Sequence, residues 1–242
     1  MYKMTLMFDG SSYHGWQRQK NGVTVQEKIE DVIKSVTGEN VAVHGCSRTD
    51  AGVHAREYVC SFSCNMTVPD EKVPYAFNAL LPDDISIISC KTVSDDFHAR
   101  FSCIGKEYVY IIDNSPHKNP FLRNYSCHFP YKLDYEKMKI AASFMKGRRD
   151  YSAFCASGAT VKDFVRTLES VTLDRDGNKI TVTARGDGFL YNMVRIIAGT
   201  LMYAGCGKID PMEIEDIINS LDRRRAGITA PPGGLYLNRV FY

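Results

Sequence analysis

Arg48 and Asp50 stand in a polar run, Gly45-Cys46-Ser47-Arg48-Thr49-Asp50-Ala51-Gly52-Val53-His54, entered directly from the apolar alternation of Val41 and Val43. Two positions apart in extended chain, the guanidinium and the carboxylate face the same side. A neighbouring cation favours the ionised acid, and an aspartate titrating near ~3.9 in peptides is already an anion at neutral pH. Such a carboxylate can act as a nucleophile or as a phosphoryl acceptor. Gly52 lets the backbone turn sharply just after it. A strand-end turn with a surface Arg–Asp pair would look the same. An aspartyl phosphotransferase site usually needs a metal, and no second carboxylate stands beside Asp50. The spacing alone leaves these readings open.

The elements that must position this run fall into a repeating order. Tyr2–Phe8 reads as a strand ending at the turn pair Asp9-Gly10, and Ser11–Asn21 is a polar insertion holding the only tryptophan, Trp16. Thr24 caps a helix carrying Val25, Ile29, Val32, Ile33 and Val36 at helical spacing, and Gly38 stops it. Val41–Arg48 and Glu57–Cys64 read as strands, Asp70–Leu81 as a helix and Ile85–Val93 as a strand, giving βαββαβ. The order returns with a strand at Glu107–Ile112 and a helix at Tyr135–Lys146. A strand within Val161–Leu173 then turns through Asp176-Gly177 into Ile180–Ala184. Helices at Leu190–Ala204 and Pro211–Leu221 and a closing strand at Leu235–Phe241 complete it. The pattern predicts an α+β fold of two ferredoxin-like or RRM-like halves with antiparallel sheets. The halves are 1–100 and 101–242, joined by a linker near Asp95–Lys106.

Bulk properties exclude several classes. With 242 residues, 44% of them hydrophobic and 24% charged, the chain is long and apolar enough for real cores. Thirty basic against 28 acidic residues give +2, so any nucleic-acid surface must come from charge distribution. Met1–Gly10 lacks the pattern of a secretory leader, and no segment has the apolar length to span a bilayer, which points to the cytoplasm. Eight cysteines in that compartment read as small buried hydrophobes. There is no C-x-x-C knuckle, and His44-x-Cys46 with Cys60-x-x-x-Cys64 has the wrong spacing for zinc, so no metal site is predicted.

The run Arg48-Thr49-Asp50-Ala51-Gly52-Val53-His54-Ala55 resembles the active-site loop of TruA-type tRNA pseudouridine synthases at every position. Phe8-Asp9-Gly10, Tyr13-His14-Gly15-Trp16-Gln17-Arg18-Gln19 and Thr24-Val25-Gln26 are similar to that family's amino-terminal signature. Asn78–Pro82, Asp96–Ser102, Lys106–Tyr110, Phe189–Arg195 and Gly234–Leu237 follow in the same order, so the resemblance spans nearly the whole chain.

The resemblance implies isomerisation of uridine to pseudouridine at positions 38, 39 and 40 of the tRNA anticodon stem-loop, with no cofactor and Asp50 as nucleophile. Arg48 is similar to the arginine that helps flip out the base, and Tyr108 to the tyrosine that stacks on uracil. Arg195, in an apolar helix between Val194 and Ile196, needs an anionic partner. By resemblance that partner is Asp50, across a central active-site cleft made by both halves. Phe97, His98, Ala99, Arg100 and Phe101 resemble a tRNA-contacting strand segment. Alternation sets His98 and Arg100 against Phe97, Ala99 and Phe101. Lys118 with Arg123, Arg148-Arg149 and Arg223-Arg224-Arg225 are further phosphate-binding candidates. The family acts as a homodimer on tRNA. The rival reading is a non-catalytic RNA-binding module with Tyr108 and Tyr110 on an open sheet face. A metal-assisted phosphohydrolase lacks ligands.

Overall fold

A computed structural model describes all residues, Met1–Tyr242, as a mixed α+β protein with two compact units: Met1–Ile104 with Tyr236–Tyr242, and Gly105–Leu235.

In the first unit β1 (Tyr2–Phe8) lies between β3 (His54–Phe62) and β4 (Ile85–Thr92), antiparallel to both, with Tyr2 opposite Phe62 and Thr92. Period-two alternation turns Met4, Leu6 and Phe8 inward onto Tyr58, Cys60 and Phe62. The other edge of β3 is shared. The two-residue β2 (His44–Gly45) pairs antiparallel with its carboxyl end, and β10 (Leu235–Phe241) pairs parallel at Tyr236–His54 and Leu237–Ala55. Helix α1 (Val25–Thr37) covers this sheet with Val25, Ile29, Val32 and Ile33 buried. Its amino end is capped by the Thr24 hydroxyl on the Glu27 N–H, and its carboxyl end closes at Gly38 with φ of 78°. The expected second helix is shorter, a 3-10 turn at Asp70–Lys72 leading into α2 (Val73–Asn78).

In the second unit β5 (Gly105–Asp113), β9 (Lys179–Gly186), β8 (Val165–Asp176) and β7 (Gly147–Asp150) pair antiparallel in that order, and β6 (Cys127–His128) adds parallel to β5. The β8–β9 hairpin turns at Gly177, φ of 57°, where the Asp-Gly pair places it. Helix α3 (Tyr135–Ser143) packs on α4 (Met193–Gly205), which is apolar nearly all round and buried accordingly. The chain at 227–228 crosses α4 so closely that a β-carbon on Gly199 would lie 1.9 Å from the Ile228 carbonyl oxygen. A short α5 (Ile214–Asn219) follows.

The sheets are not purely antiparallel. The β3–β10 and β5–β6 ladders are short parallel ones, the first made by a strand that arrives from distant sequence. Of the cysteines, 46, 60, 90, 127 and 155 are buried, and none of the eight is in a disulfide. No helix is long and apolar enough to cross a membrane.

Candidate active site

Asp50 is half-buried in the connection between β2 and β3. The turn after it is tied back on itself, because the Val53 N–H donates to the Asp50 carbonyl at 3.2 Å and Gly52 adopts φ of 77°. The polar insertion meets this turn from outside it. The Gly52 N–H donates to the Tyr13 carbonyl at 3.3 Å, and a β-carbon on Gly10 would stand 2.0 Å from the Val53 carbonyl oxygen. The Tyr13 side chain is itself held, its hydroxyl donating to Asp84 at 2.5 Å. Burial and then that carboxylate push its phenol well above the ordinary range.

His54 ends the loop and is 2% exposed, its ring stacked on Tyr236 with centroids 4.7 Å apart. Its Nδ1 accepts the Gly10 N–H at 3.1 Å, which fixes that nitrogen as an acceptor. Asp9 Oδ1 lies at the same 3.1 Å distance but is occupied by the N–H and hydroxyl of Ser11. The carboxyl side of Asp50 is thus held by one short segment, at the Gly52 N–H, by the close approach of Gly10 to the Val53 carbonyl, and at the His54 ring.

Arg48 is exposed and takes no part in an ion pair, so the side-by-side pairing with Asp50 expected from an extended chain does not form. The chain bends at Cys46 and Ser47 and turns at Ala51 and Gly52, so Arg48 and Asp50 lie outside any strand and two-residue spacing does not set a common face. In the second unit Tyr108 sits in mid-β5 opposite Ala184, 7% exposed, edge-on to Phe189 at 5.0 Å. Arg195 lies in the first turn of α4, and its Nε donates to the Ala230 carbonyl at 2.7 Å. Its Nη1 donates to the Asn192 side chain at 2.7 Å, where Asn192 starts the helix with φ of 60°.

The segment Phe97–Phe101 is a tight turn, not a strand. The Ser102 N–H returns to the His98 carbonyl at 2.9 Å, the His98 N–H donates to the Ser102 hydroxyl, and His98 Nδ1 accepts the Arg100 N–H. The expected alternation of faces therefore fails. Ala99 is the buried residue, whereas Phe101 is 76% exposed, beside the His98 ring at 4.4 Å and under the Arg100 guanidinium at 5.6 Å. His44 brings a second imidazole 5.0 Å from His98. Burial first, and then His44 and Arg100, hold His98 below its usual pKa.

The other basic groups separate. Arg149 pairs with Glu215 at 2.9 Å and Arg224 with Asp222 at 2.8 Å, while Arg223 donates to the Gly227 carbonyl and the Thr229 hydroxyl. Lys118 and Arg123 are exposed, and Arg123 meets only the Pro120 carbonyl. Sequence reasoning had no part for His54, Tyr13 or Gly10 beyond their place in a signature. The available signal was the cluster of glycine and aromatic residues in a polar insertion.

Comparison with known proteins gives a consistent result. The family profile described as tRNA pseudouridine synthase matches residues 4–102 and 141–242. The chain is 52% identical over 235 residues to tRNA pseudouridine synthase A of Thermoanaerobacter sp. (strain X514), covering 97% of this chain and 96% of that protein. It is 50% identical over 240 residues to the protein of that name from Acetivibrio thermocellus and 43% identical over 242 residues to that from Bacillus pumilus. Each of these alignments covers 99% of this chain and 98% of the relative.

Proposed function

The chain belongs to the tRNA pseudouridine synthase family and isomerises uridine to pseudouridine in tRNA, and we propose that Asp50 is its nucleophile at positions 38, 39 and 40 of the anticodon stem-loop. The observation that carries this reading is the place of Asp50. It is a half-buried carboxylate on a turn whose next residues are held by a segment from elsewhere in the chain, at the Gly52 N–H and at the His54 ring. A nucleophile needs that fixation, because proximity and orientation supply much of the rate.

The reaction breaks the bond from the sugar C1′ to uracil N1 and joins C1′ to C5. The proton on C5 is lost and N1 gains one, so the product is an isomer and the electrons balance. Asp50 forms a transient covalent bond either to C1′, displacing N1 with its electron pair and then displaced by C5, or to the uracil ring, whose π bond it opens and which later expels it with its electron pair. The target base must first leave its stack, at a cost of a few kcal/mol. Arg48, exposed and unpaired with Asp50, is suited to occupy the vacated space. Tyr108 is assigned to stack on the uracil, and an aromatic face tolerates rotation of the ring in its plane. Arg195 is assigned to substrate binding, its orientation set by Ala230 and Asn192. Phe97, His98, Ala99, Arg100 and Phe101 are assigned to the tRNA, with Arg100 and Phe101 facing outward.

The ferredoxin-like reading is supported in the first unit by the strand order β4-β1-β3-β2, which a βαββαβ unit produces. A homodimer acting in the cytoplasm remains part of the proposal, resting on the family. The rival RNA-binding module is disfavoured at Tyr110, which is 0% exposed with its hydroxyl donating to the Pro231 carbonyl, so Tyr108 and Tyr110 do not form a two-ring platform on β5.

Incubation of native protein and Asp50→Asn with unmodified tRNA, followed by mapping of pseudouridine in the anticodon arm, tests the assignment. Product at 38–40 is expected from the native protein and none from the variant. Comparable product from Asp50→Asn would overturn it.

A further inference from the structure

On the amino side of Asp50 the loop is held by different groups. Trp16 and Tyr58 are 2% and 0% exposed, and their rings stack with centroids 4.1 Å apart and planes 24° from parallel. Phe8 closes the cluster, 5.5 Å from the Tyr58 ring. Each member of the stacked pair reaches the loop through a polar group. The Tyr58 hydroxyl donates to the Ser47 carbonyl in a very short hydrogen bond and accepts the Ser47 N–H at 3.4 Å. The Trp16 backbone N–H donates to the Thr49 carbonyl at 3.2 Å. The same segment is anchored behind, since the Gly15 and Trp16 carbonyls accept the Val25 and Gln26 N–H groups that open α1. Gly45 completes the fit, because a β-carbon there would lie 2.1 Å from the Tyr58 hydroxyl and 2.4 Å from the Trp16 ring nitrogen.

The arrangement ties Ser47 and Thr49 to a rigid base and leaves Arg48 between them exposed. With the Val53 and Gly52 contacts on the other side, both flanks of Asp50 are held, and the two attachments differ in chemistry. The carboxyl side has no phenol on its peptide units, whereas the amino side adds to the Trp16 backbone bond a phenol on the Ser47 peptide unit, and a phenol can be removed without moving the chain.

We propose that Trp16 and Tyr58 are positioning residues for the isomerisation: a stacked pair that clamps Ser47 and Thr49 and thereby sets where the Asp50 carboxylate stands. The clamp acts on turnover and not on tRNA affinity, because its groups are buried beneath the loop. This rests on the reading of Asp50 as nucleophile. A catalytic group must be held within a fraction of an ångström of its productive place, and a displacement of about 1 Å lowers rate on the order of a hundredfold.

Tyr58→Phe is the discriminating variant, since it keeps the ring stack and deletes only the hydroxyl. Single-turnover pseudouridine formation is expected to fall tenfold or more, with the Kd for tRNA within twofold of native and one cooperative melt. Trp16→Phe, which keeps an aromatic partner and the backbone N–H, is expected to retain more turnover than Trp16→Ala, both measured well below their melting temperatures. Native turnover in Tyr58→Phe, or a loss confined to Kd, overturns the clamp. If Tyr58→Phe does not fold, equal turnover in Trp16→Phe and Trp16→Ala overturns it instead. Asp50→Asn run in parallel separates the two claims. Inactive Asp50→Asn beside fully active Tyr58→Phe removes the clamp alone, whereas active Asp50→Asn removes the nucleophile assignment and the clamp with it.

Discussion

The loop from Gly45 to His54 and the turn from Phe97 to Ser102 are both short, irregular and assigned to the same tRNA, yet they are fixed in opposite ways. The first is held by partners outside it: Tyr13 and Trp16, distant in sequence, and Tyr58 of the following strand reach its backbone, Gly10 reaches the His54 ring, and Thr49 and His54 are buried at 8% and 2% exposure. The second folds on its own side chains, His98 and Ser102 taking up its N–H groups. It is pinned to the protein at Ala99, through the Ser61 hydroxyl at 3.1 Å and the Tyr242 hydroxyl at 2.6 Å. Tertiary fixation suits a group that must sit at one reacting atom. Local fixation with one anchor suits side chains that meet a flexible polymer, because they can adapt or be replaced without disturbing the core.

The largest effect that could break this contrast lies at Gly15. It sits at φ of 85°, and a β-carbon there would stand 2.3 Å from the Thr49 carbonyl oxygen. An L side chain in the left-handed region costs ~1–2 kcal/mol, and the crowding adds ~1–3. Gly15→Ala is therefore expected to lower the unfolding free energy by about 3 kcal/mol in a urea titration, with a matching loss of turnover. A change under about 1 kcal/mol would show the loop to be as replaceable as the turn.

The opposite behaviour is expected at the turn. Arg100→Gln with Phe101→Ala removes an exposed cation and an exposed ring, so the unfolding free energy from urea titration should change by less than about 0.5 kcal/mol. The Kd for tRNA should weaken about tenfold, since stacking of one base is worth ~1–3 kcal/mol. The slope of log affinity against log salt should shallow by about one as one phosphate contact goes. Loss of stability with unchanged affinity would erase the distinction between the two regions.

The same contrast governs what could be read from the residues. Strands Tyr2–Phe8 and Leu235–Phe241 and helix α1 were legible at their ends, because alternation, the Thr24 cap and Gly38 act locally. The strand expected over Val41–Arg48 shrinks to His44–Gly45 for a reason no local pattern contains. Side chains of α1 take the backbone of Val43, with Gln26 donating to its carbonyl at 3.2 Å and Glu30 accepting its N–H at 3.4 Å. Strand β7, Gly147-Arg148-Arg149-Asp150, has no apolar alternation and exists by pairing with β8. At the site, Asp50 was visible as a residue type in a recognisable run. The groups that hold it were not, since Tyr58 reads as an ordinary strand aromatic and Gly10, Gly15 and Trp16 as loop residues until the fold brings them under it.

The smallest expected effect tests whether everything in the loop is held. Thr49 is buried and its carbonyl is taken by Trp16, but its hydroxyl oxygen has no hydrogen-bond partner. Leaving such a group unsatisfied costs ~1–3 kcal/mol, so a side chain of the same shape without the hydroxyl removes the penalty. Thr49→Val should therefore leave the urea midpoint unchanged or raise the unfolding free energy by about 1 kcal/mol, the reverse of Gly15→Ala beside it. Backbone fixation and side-chain satisfaction would then be separate properties of one residue. If Thr49→Val instead destabilises by more than about 1 kcal/mol, the hydroxyl is bonded to ordered water in the folded protein, and the loop is held through its side chains as well as its peptide groups.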